Sequence, residues 1–143
     1  MESPINFYSK IEFELKNKKS HADWLKAVIE SEQKKVDDLS YVFCSDEDLL
    51  YINKRYLDHD TFTDIITFDY SEDESISAEI YISIDRVKEN AKDFKVKFEN
   101  ELRRVLVHGV LHCCGYGDST EESKAEMRAL ENKKIELFHV EQK

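Results

Sequence analysis

Two histidines spaced four residues apart, His108 and His112, carry the clearest chemical signal in this chain. Residues at that spacing lie on the same face of an α-helix, so both imidazoles can reach one ion. Gly115 can adopt the left-handed conformation that ends a helix and turns the chain back, which would return Asp118 toward the same ion. Three nitrogen and oxygen ligands with no fourth nearby describe an open tetrahedral zinc site, which is typical of catalysis.

The apolar surroundings of this pair separate a metal site from a plainer alternative. Paired histidines also occur by chance, and a histidine in an apolar helix is often a hydrogen-bonded core residue. The helix that would carry this pair is strongly apolar, with the residues Leu102, Val105, Leu106, Val110 and Leu111. Two buried imidazoles need partners for their ring nitrogens, and a metal ion would provide them. We therefore predict one Zn²⁺ per chain, bound by His108, His112 and Asp118 at the end of a central helix.

The pattern HxxxHxxGxxD is also close to the zinc-protease motif HExxHxxGxxH. Gly109, however, occupies the position of the glutamate that acts as general base in those proteases. Because a positioned base is worth about 10²–10⁴-fold in rate, its absence disfavours peptide hydrolysis. Zinc can still provide hydroxide near neutral pH or polarise a phosphoryl oxygen, so hydrolysis remains the expected class of reaction.

Length and composition predict one domain, residues 1–143, with a core large enough to fold without disulfides. Of the 143 residues 41% are hydrophobic, and no apolar run approaches the ~20 residues of a membrane span. The three cysteines match neither a disulfide framework nor a zinc ribbon, so we expect reduced thiols, with Cys113 and Cys114 packed into the core rather than bound to the metal. With no recognisable signal peptide, a cytoplasmic location without membrane partners is expected.

The formal net charge of −10 argues against general affinity for nucleic acid and against a DNA partner. A local basic groove remains a candidate, and its members would be Lys88, Lys92, Lys95, Lys97, Arg103 and Arg104. The alternative is that these side chains form an ordinary solvated helix face.

Hydrophobic periodicity predicts strands at residues 5–8, 11–15, 39–44, 64–69 and 76–83, with the last two paired as a hairpin. It predicts helices from Ser20 to about residue 35, after Ser45, over 84–94 and 98–114, and after a capping box at 119–122. These elements indicate an α+β (mixed α/β) fold, in which one mixed sheet of roughly four strands packs with about five helices. The strand order is left open.

Three sequence blocks resemble the YbeY family of bacterial rRNA maturation factors. The segment HGVLHCCGYGD at 108–118 is similar to that family's signature HGxLHLxGYDH. Residues 56–69 resemble the block YxxxDxPTDVLSFP, and residues 78–83 resemble GDIxIS. The blocks occur in the family's order over most of the chain.

This resemblance implies a single-strand-specific, metal-dependent endoribonuclease that acts in 16S rRNA 3′-end maturation and ribosome quality control. It implies His108 and His112 as metal ligands, with Asp118 in the place of the family's third histidine. The implied partners are single-stranded rRNA or the small ribosomal subunit, together with a ribosomal protein or an Era-like GTPase. The sequence does not decide whether a zinc-bound water or a ribose 2′-hydroxyl attacks phosphorus, and it does not identify the general base.

Two departures from the family pattern affect the predicted site. Asp118 keeps an oxygen ligand suited to zinc but adds negative charge and lowers the Lewis acidity of the metal. Leu57 stands where the family has an arginine, which would contact phosphate. Candidates for that role are Arg55, His59 and Arg104, while His59, Asp60 and Asp64 share a polar stretch between a helix and a strand.

Two other functions compete with the nuclease at this stage. The first is a non-ribonucleolytic ribosome-assembly factor that binds a ribosomal protein or a GTPase. The second, less favoured because of Gly109, is a zinc peptidase.

Overall fold

The computed structural model describes residues 3–58 and 63–141. Within these residues the strands are β1 (Ile5–Ser9), β2 (Lys35–Cys44), β3 (Ile65–Asp69) and β4 (Ser75–Ser83). The helices are α1 (Lys18–Ser31), α2 (Asp46–Leu57), α3 (Ile84–Phe94), α4 (Phe98–Cys113) and α5 (Glu121–Glu141).

The four strands form one mixed sheet in the order β1-β2-β4-β3. β1 and β4 run parallel to β2, whereas β3 pairs antiparallel with β4. A parallel pair needs a crossover connection, and α1 provides it between β1 and β2. The predicted hairpin of the last two strands is confirmed, and so is the α+β fold with a four-stranded mixed sheet and five helices.

The helices divide between the two faces of the sheet. α1 and α4 cover one face and α5 packs on these two helices, which together enclose the main hydrophobic core. α2 covers the other face with a smaller cluster. Two buried polar groups tie the layers together, since Trp24 Nε1 donates to the Lys134 carbonyl at 2.7 Å and Tyr41 Oη donates to the Leu106 carbonyl at 2.7 Å.

Gly109 determines how closely α4 approaches the sheet. A Cβ atom at this position would lie 3.0 Å from Cδ1 of Ile80 and 3.1 Å from Cδ1 of Ile65. Both isoleucines belong to the sheet, so the glycine faces β3 and β4 rather than solvent. A glutamate at this position, as in the zinc proteases, would not fit, because its side chain would clash with these two core residues.

Residues 11–15 do not form the predicted strand. Phe13 and Leu15 are nevertheless packed against the core, Phe13 in edge contacts with the rings of Phe43 and Phe98. The alternating pattern therefore reflects burial without strand pairing. The first helix also begins and ends earlier than predicted, at Lys18 after Asn17 rather than after Ser20, which leaves residues 35–38 free to extend β2.

Helices α2 and α5 both begin with a side-chain cap. The helix start predicted after Ser45 is confirmed, and Ser45 and Asp48 form a capping box there. At α5 the reciprocal pair is Thr120 and Ser123, with Ser123 N donating to Thr120 Oγ1 at 3.0 Å, so the capping box predicted at 119–122 lies one residue later. Thr120 is therefore the N-cap residue of α5, because its hydroxyl accepts from the backbone amide three residues later.

The cysteine thiols are free, and Cys113 is buried in the core as expected, where burial raises its pKa to about 12. Among the described helices none is both long and apolar enough to cross a lipid bilayer.

Candidate metal centre

The last turns of α4 and the chain reversal after it bring three predicted side chains together. His108 and His112 lie on successive turns of α4. Gly115 then adopts φ of 106°, and its N–H donates to the His112 carbonyl at 3.0 Å. This turn directs the chain back, so that Asp118 faces both imidazoles. Tyr116 anchors the reversal from outside, because its hydroxyl donates to Glu32 Oε1 at 2.6 Å.

The donor atoms of these three side chains converge on one point. The Nε2 atoms of the two histidines are 3.1 Å apart, and Asp118 Oδ2 lies 3.4 Å from Nε2 of His108 and 3.6 Å from Nε2 of His112. Zinc bonds of about 2.0–2.1 Å place tetrahedral ligand atoms about 3.3 Å from one another, so the observed spacing fits a shared ion. Within the described residues they are the group of His, Cys, Asp and Glu that satisfies this proximity.

The exposure of the three side chains leaves a side of the site open. The side chains of His108, His112 and Asp118 are 21%, 34% and 42% exposed. A fourth position is therefore accessible to water or substrate, as in catalytic rather than structural zinc sites.

His108 has a second partner that the sequence analysis missed. Its Nδ1 lies 2.6 Å from Glu131 Oε2, and the other oxygen of Glu131 accepts from Arg104 Nη1 at 2.9 Å. Arg104 also donates to Asn132 Oδ1 at 2.6 Å. The Glu131 side chain is only 7% exposed, so this carboxylate is fixed between α4 and α5.

The signal for Glu131 was present in the periodicity of α5. Met127, Glu131, Lys134 and Phe138 follow one another at helical spacing, and all four are at most 6% exposed. A charged residue within such a buried stripe requires a partner. Lys134 meets the same requirement through Glu32, with Nζ 2.8 Å from Oε2.

Electrostatics within the site follow from these contacts. Burial lowers the pKa of His108, but the hydrogen bond and charge of Glu131 outweigh it and raise the pKa overall. Burial raises the pKa of Glu131, yet His108 and Arg104 together bring it below its usual range. Asp64 shows the opposite balance, because burial raises its pKa against the attraction of His108. Glu131 is thus the main polar partner of His108, and Arg104 is the second partner of the same carboxylate.

A cavity of about 300 Å³ opens beside His108 and Asp118. Its other lining residues include Asp64, Arg104 and Arg128. A larger cavity of about 590 Å³ lies between β1 and α1, but its walls carry none of the three converging donors. The chemistry of the donors, rather than the volume of the space, therefore identifies the site.

Of the residues proposed to replace the family arginine, Arg104 lies at the cavity and Arg55 does not. Arg104 lines the cavity, whereas Arg55 lies on α2 with its guanidinium 6.0 Å from the centroid of the Tyr56 ring and is not among the lining residues. His59 and Asp60 lie outside the described residues. Leu57 is 43% exposed at the end of α2.

The predicted basic groove is only partly realised. Arg104 is paired with Glu131, and Arg103 stacks over the Phe138 ring with a distance of 4.1 Å to its centroid. The lysines of the cluster, Lys88, Lys92, Lys95 and Lys97, are exposed. Arg128, which belongs to no sequence motif, also lines the cavity.

Comparison with known proteins gives one consistent result. Residues 5–139 match the sequence profile of the family described as Endoribonuclease YbeY. Proteins named Endoribonuclease YbeY from Flavobacterium johnsoniae and Flavobacterium psychrophilum are 53% and 51% identical to this chain over 138 residues, covering 96% of it and 99% of each relative. A Thermotoga maritima protein whose structure was determined in solution superposes with a TM-score of 0.68 at 27% identity, over 96% of this chain and 91% of the other.

Proposed function

The chain belongs to the YbeY endoribonuclease family, and we propose that it is a single-strand-specific, zinc-dependent endoribonuclease that acts in 16S rRNA 3′-end maturation and ribosome quality control. The observation that carries this proposal is the convergence of His108 Nε2, His112 Nε2 and Asp118 Oδ2. We further propose that residues 1–143 form a single domain that works in the cytoplasm.

In this proposal His108, His112 and Asp118 hold one Zn²⁺ per chain. A zinc ion in such a site lowers the pKa of a bound water to ~7 and polarises a phosphoryl oxygen. Glu131 accepts the Nδ1 proton of His108, which leaves the lone pair of Nε2 directed at the metal position. The carboxylate thereby fixes both the tautomer and the orientation of the ring.

Two arginines in the cavity wall are suited to a phosphodiester substrate. Arg128 and Arg104 bring guanidinium groups to the space beside His108. Such groups bind phosphate oxygens and stabilise the charge that grows on them during phosphoryl transfer. We propose that they take over the part of the arginine replaced by Leu57, with Arg128 the freer of the two because Arg104 is paired with Glu131.

Cleavage of a single-stranded rRNA fragment tests this proposal. The protein should contain one zinc per chain by elemental analysis, and a chelator should abolish cleavage until zinc is restored. Asp118→Asn and His112→Ala should remove both zinc and cleavage, whereas Asp73→Asn, at an exposed turn between β3 and β4, should change neither. Cleavage that persists in His112→Ala, or that ignores the chelator, would contradict the proposal.

A second candidate function is a ribosome-assembly factor without nuclease activity. Leu57, in the place of the expected phosphate-binding arginine, favours it, and the net charge of −10 suits a basic ribosomal protein as partner. The His112→Ala variant separates the two functions in cells depleted of the wild-type protein. Normal 16S rRNA ends with that variant would favour the assembly factor.

A further inference from the structure

Two neighbouring cavities share one wall beside the metal centre. The cavity that contains His108 and Asp118 and a second one of about 550 Å³ are both lined by Phe94, Glu101, Arg104 and Arg128. Together they form a continuous depression from the end of α4 past the end of α3. We call it the Phe94 groove, and its outer part is formed by Phe94, Val96, Asn100, Arg104, Arg128 and Ile135.

Phe94 presents an aromatic surface to this groove. Its side chain is 56% exposed, which sets it apart from the other described phenylalanines, and Val96 beside it is 44% exposed. Lys95 adopts φ of 57° at the end of α3, and Val96 N donates to the Ala91 carbonyl at 3.0 Å. This turn is hydrogen-bonded, so it holds Phe94 at the surface in a defined place. Exposed aromatic rings beside a site are the surfaces on which unpaired bases stack.

Arg128 adds an available cation to the same wall. It is exposed and makes no hydrogen bond or ion pair with any described residue, although its charge acts on the buried Glu101. Arg104 is already held by Glu131 and Asn132. A guanidinium without a partner among the described residues can bind a phosphate, while the exposed ring beside it stacks on a base.

The charges around the groove decide which kind of nucleic acid fits it. Asp64 lines the inner part, Glu101 lines both parts, and the chain as a whole carries −10, so a duplex with its dense phosphates is disfavoured. A single strand exposes bases for stacking and needs few phosphate contacts. Lys95 and Lys97, which flank the groove residue Val96 in sequence, are exposed, and their charges partly offset those of the acidic groups.

We propose that single-stranded RNA binds along the Phe94 groove, with one base stacked on Phe94 and a phosphate on Arg128. A phosphodiester further along the strand then lies at His108 and Asp118. This inference rests on the proposed nuclease function and deepens it by assigning the substrate a binding site outside the metal centre.

Binding of a fluorescently labelled, unstructured RNA oligonucleotide tests the inference. Anisotropy is measured with chelator present, so that the strand stays intact, and KM and kcat are measured separately with zinc. Phe94→Ala should weaken binding at least 5-fold and raise KM with little change in kcat, since stacking on one aromatic ring is worth about 1–3 kcal/mol. Tyr70→Ala is the matched control, because Tyr70 is 58% exposed but does not line the groove.

Two further variants identify the nature of the contacts. Phe94→Trp should bind as well as the wild type, whereas Phe94→Leu, which keeps apolar bulk without a ring, should bind as weakly as Phe94→Ala. Arg128→Ala should reduce the slope of log K against log salt concentration by about 0.7, the value for one phosphate contact on a single strand.

The outcomes separate this inference from the function on which it rests. Full binding by Phe94→Ala, equal loss in Tyr70→Ala, or wild-type binding by Phe94→Leu would overturn the groove while leaving the nuclease intact. A wild-type protein that neither retains zinc nor cleaves RNA would overturn both. Tighter binding of duplex than of single-stranded RNA would also contradict the groove.

Discussion

Glu131 lies outside the proposed ligand set but contacts one of its members directly. Its carboxylate receives His108 Nδ1 at 2.6 Å on one oxygen and Arg104 at 2.9 Å on the other. An imidazole held in this way is a better metal ligand, because its tautomer is fixed and its ring needs no reorientation on binding. We therefore expect this carboxylate to contribute to metal affinity, although it lies outside the group of three converging donor atoms.

Glu131→Leu should lower the affinity for zinc about 10–100-fold, measured by competition with a chromophoric chelator. ¹⁵N NMR of the metal-free protein, well above the pKa of histidine, should show the His108 proton on Nδ1 in the wild type and on both nitrogens in exchange in the variant. His112 should be unaffected. Glu101→Gln is the matched control, since Glu101 is 5% exposed and lines the same cavity. Equal losses in both variants would mean that the charge of the cavity, rather than the hydrogen bond, sets the affinity.

Among the helices, α4 depends on its close contact with the sheet. Gly109 allows that contact, because Ile80 and Ile65 already occupy the space that a side chain would need. Since His108 precedes this glycine directly, any shift of α4 away from the sheet also moves the His108 imidazole relative to its partners.

Gly109→Val should destabilise the fold by about 3 kcal/mol, measured by urea denaturation, because overpacking of a tight core contact forces the helix outward. Ile80→Ala alone removes buried methyl groups and should also destabilise. The double variant Gly109→Val/Ile80→Ala should lose less than the two single losses combined, since the smaller residue makes room for the larger. Strict additivity would show that the two positions do not share this space.

Helices α1 and α5 are joined by a buried ionic contact. Lys134 Nζ lies 2.8 Å from Glu32 Oε2 and also donates to Ser31 Oγ at 2.8 Å. Burial raises the pKa of Glu32, but the hydrogen bonds from Lys134 and Tyr116 outweigh it and leave the pKa below its ordinary value of 4.5. The contact therefore stabilises the fold when the carboxylate is charged.

Glu32→Gln should cost about 2 kcal/mol at pH 7, the usual worth of a hydrogen bond to a charged group. A carboxyl group whose pKa is lowered by folding stabilises above its unfolded value and loses that contribution as the pH falls through the folded pKa. The difference between wild type and variant should thus shrink below pH 4.5. Denaturant titrations of both proteins at several pH values measure it, and a difference that grows toward acid pH would contradict the assigned sign.

For the whole molecule, metal binding and folding stability should be linked. Only the folded chain brings His108, His112 and Asp118 together, so the zinc binding that we propose should stabilise it by mass action, about 2.7 kcal/mol at a free zinc concentration 100 times Kd. For a chain of this size that is a rise in Tm of roughly 8 °C. Calorimetry with zinc and with chelator should show this rise in the wild type and none in His112→Ala. A similar rise in both would place the metal elsewhere.

The parts of this molecule that sequence predicts are those governed by local geometry. His108 and His112 share a helix, and Gly115 lies at its exit, so the approach of Asp118 follows from helical periodicity and one turn. Glu131 escaped notice because its contact with His108 depends on the packing of α5 against α4. The order of the sheet escaped for a similar reason, since β2 and β4 pair across an intervening helix and strand. The strand predicted at residues 11–15 was wrong because an extended segment with one buried face has the same alternation of apolar and polar residues as a strand.

The helix α5 also has a consequence for the timing of synthesis. It emerges from the ribosome after every other described element, and it brings Glu131 to His108 only when Lys134 and Trp24 have docked it against α1. A nascent chain that still lacks α5 already contains all three converging donors. It lacks Glu131, which accepts the hydrogen bond from His108. The hydrogen bond that orients His108 therefore forms only after a segment translated later than all three donors has packed against α1 and α4.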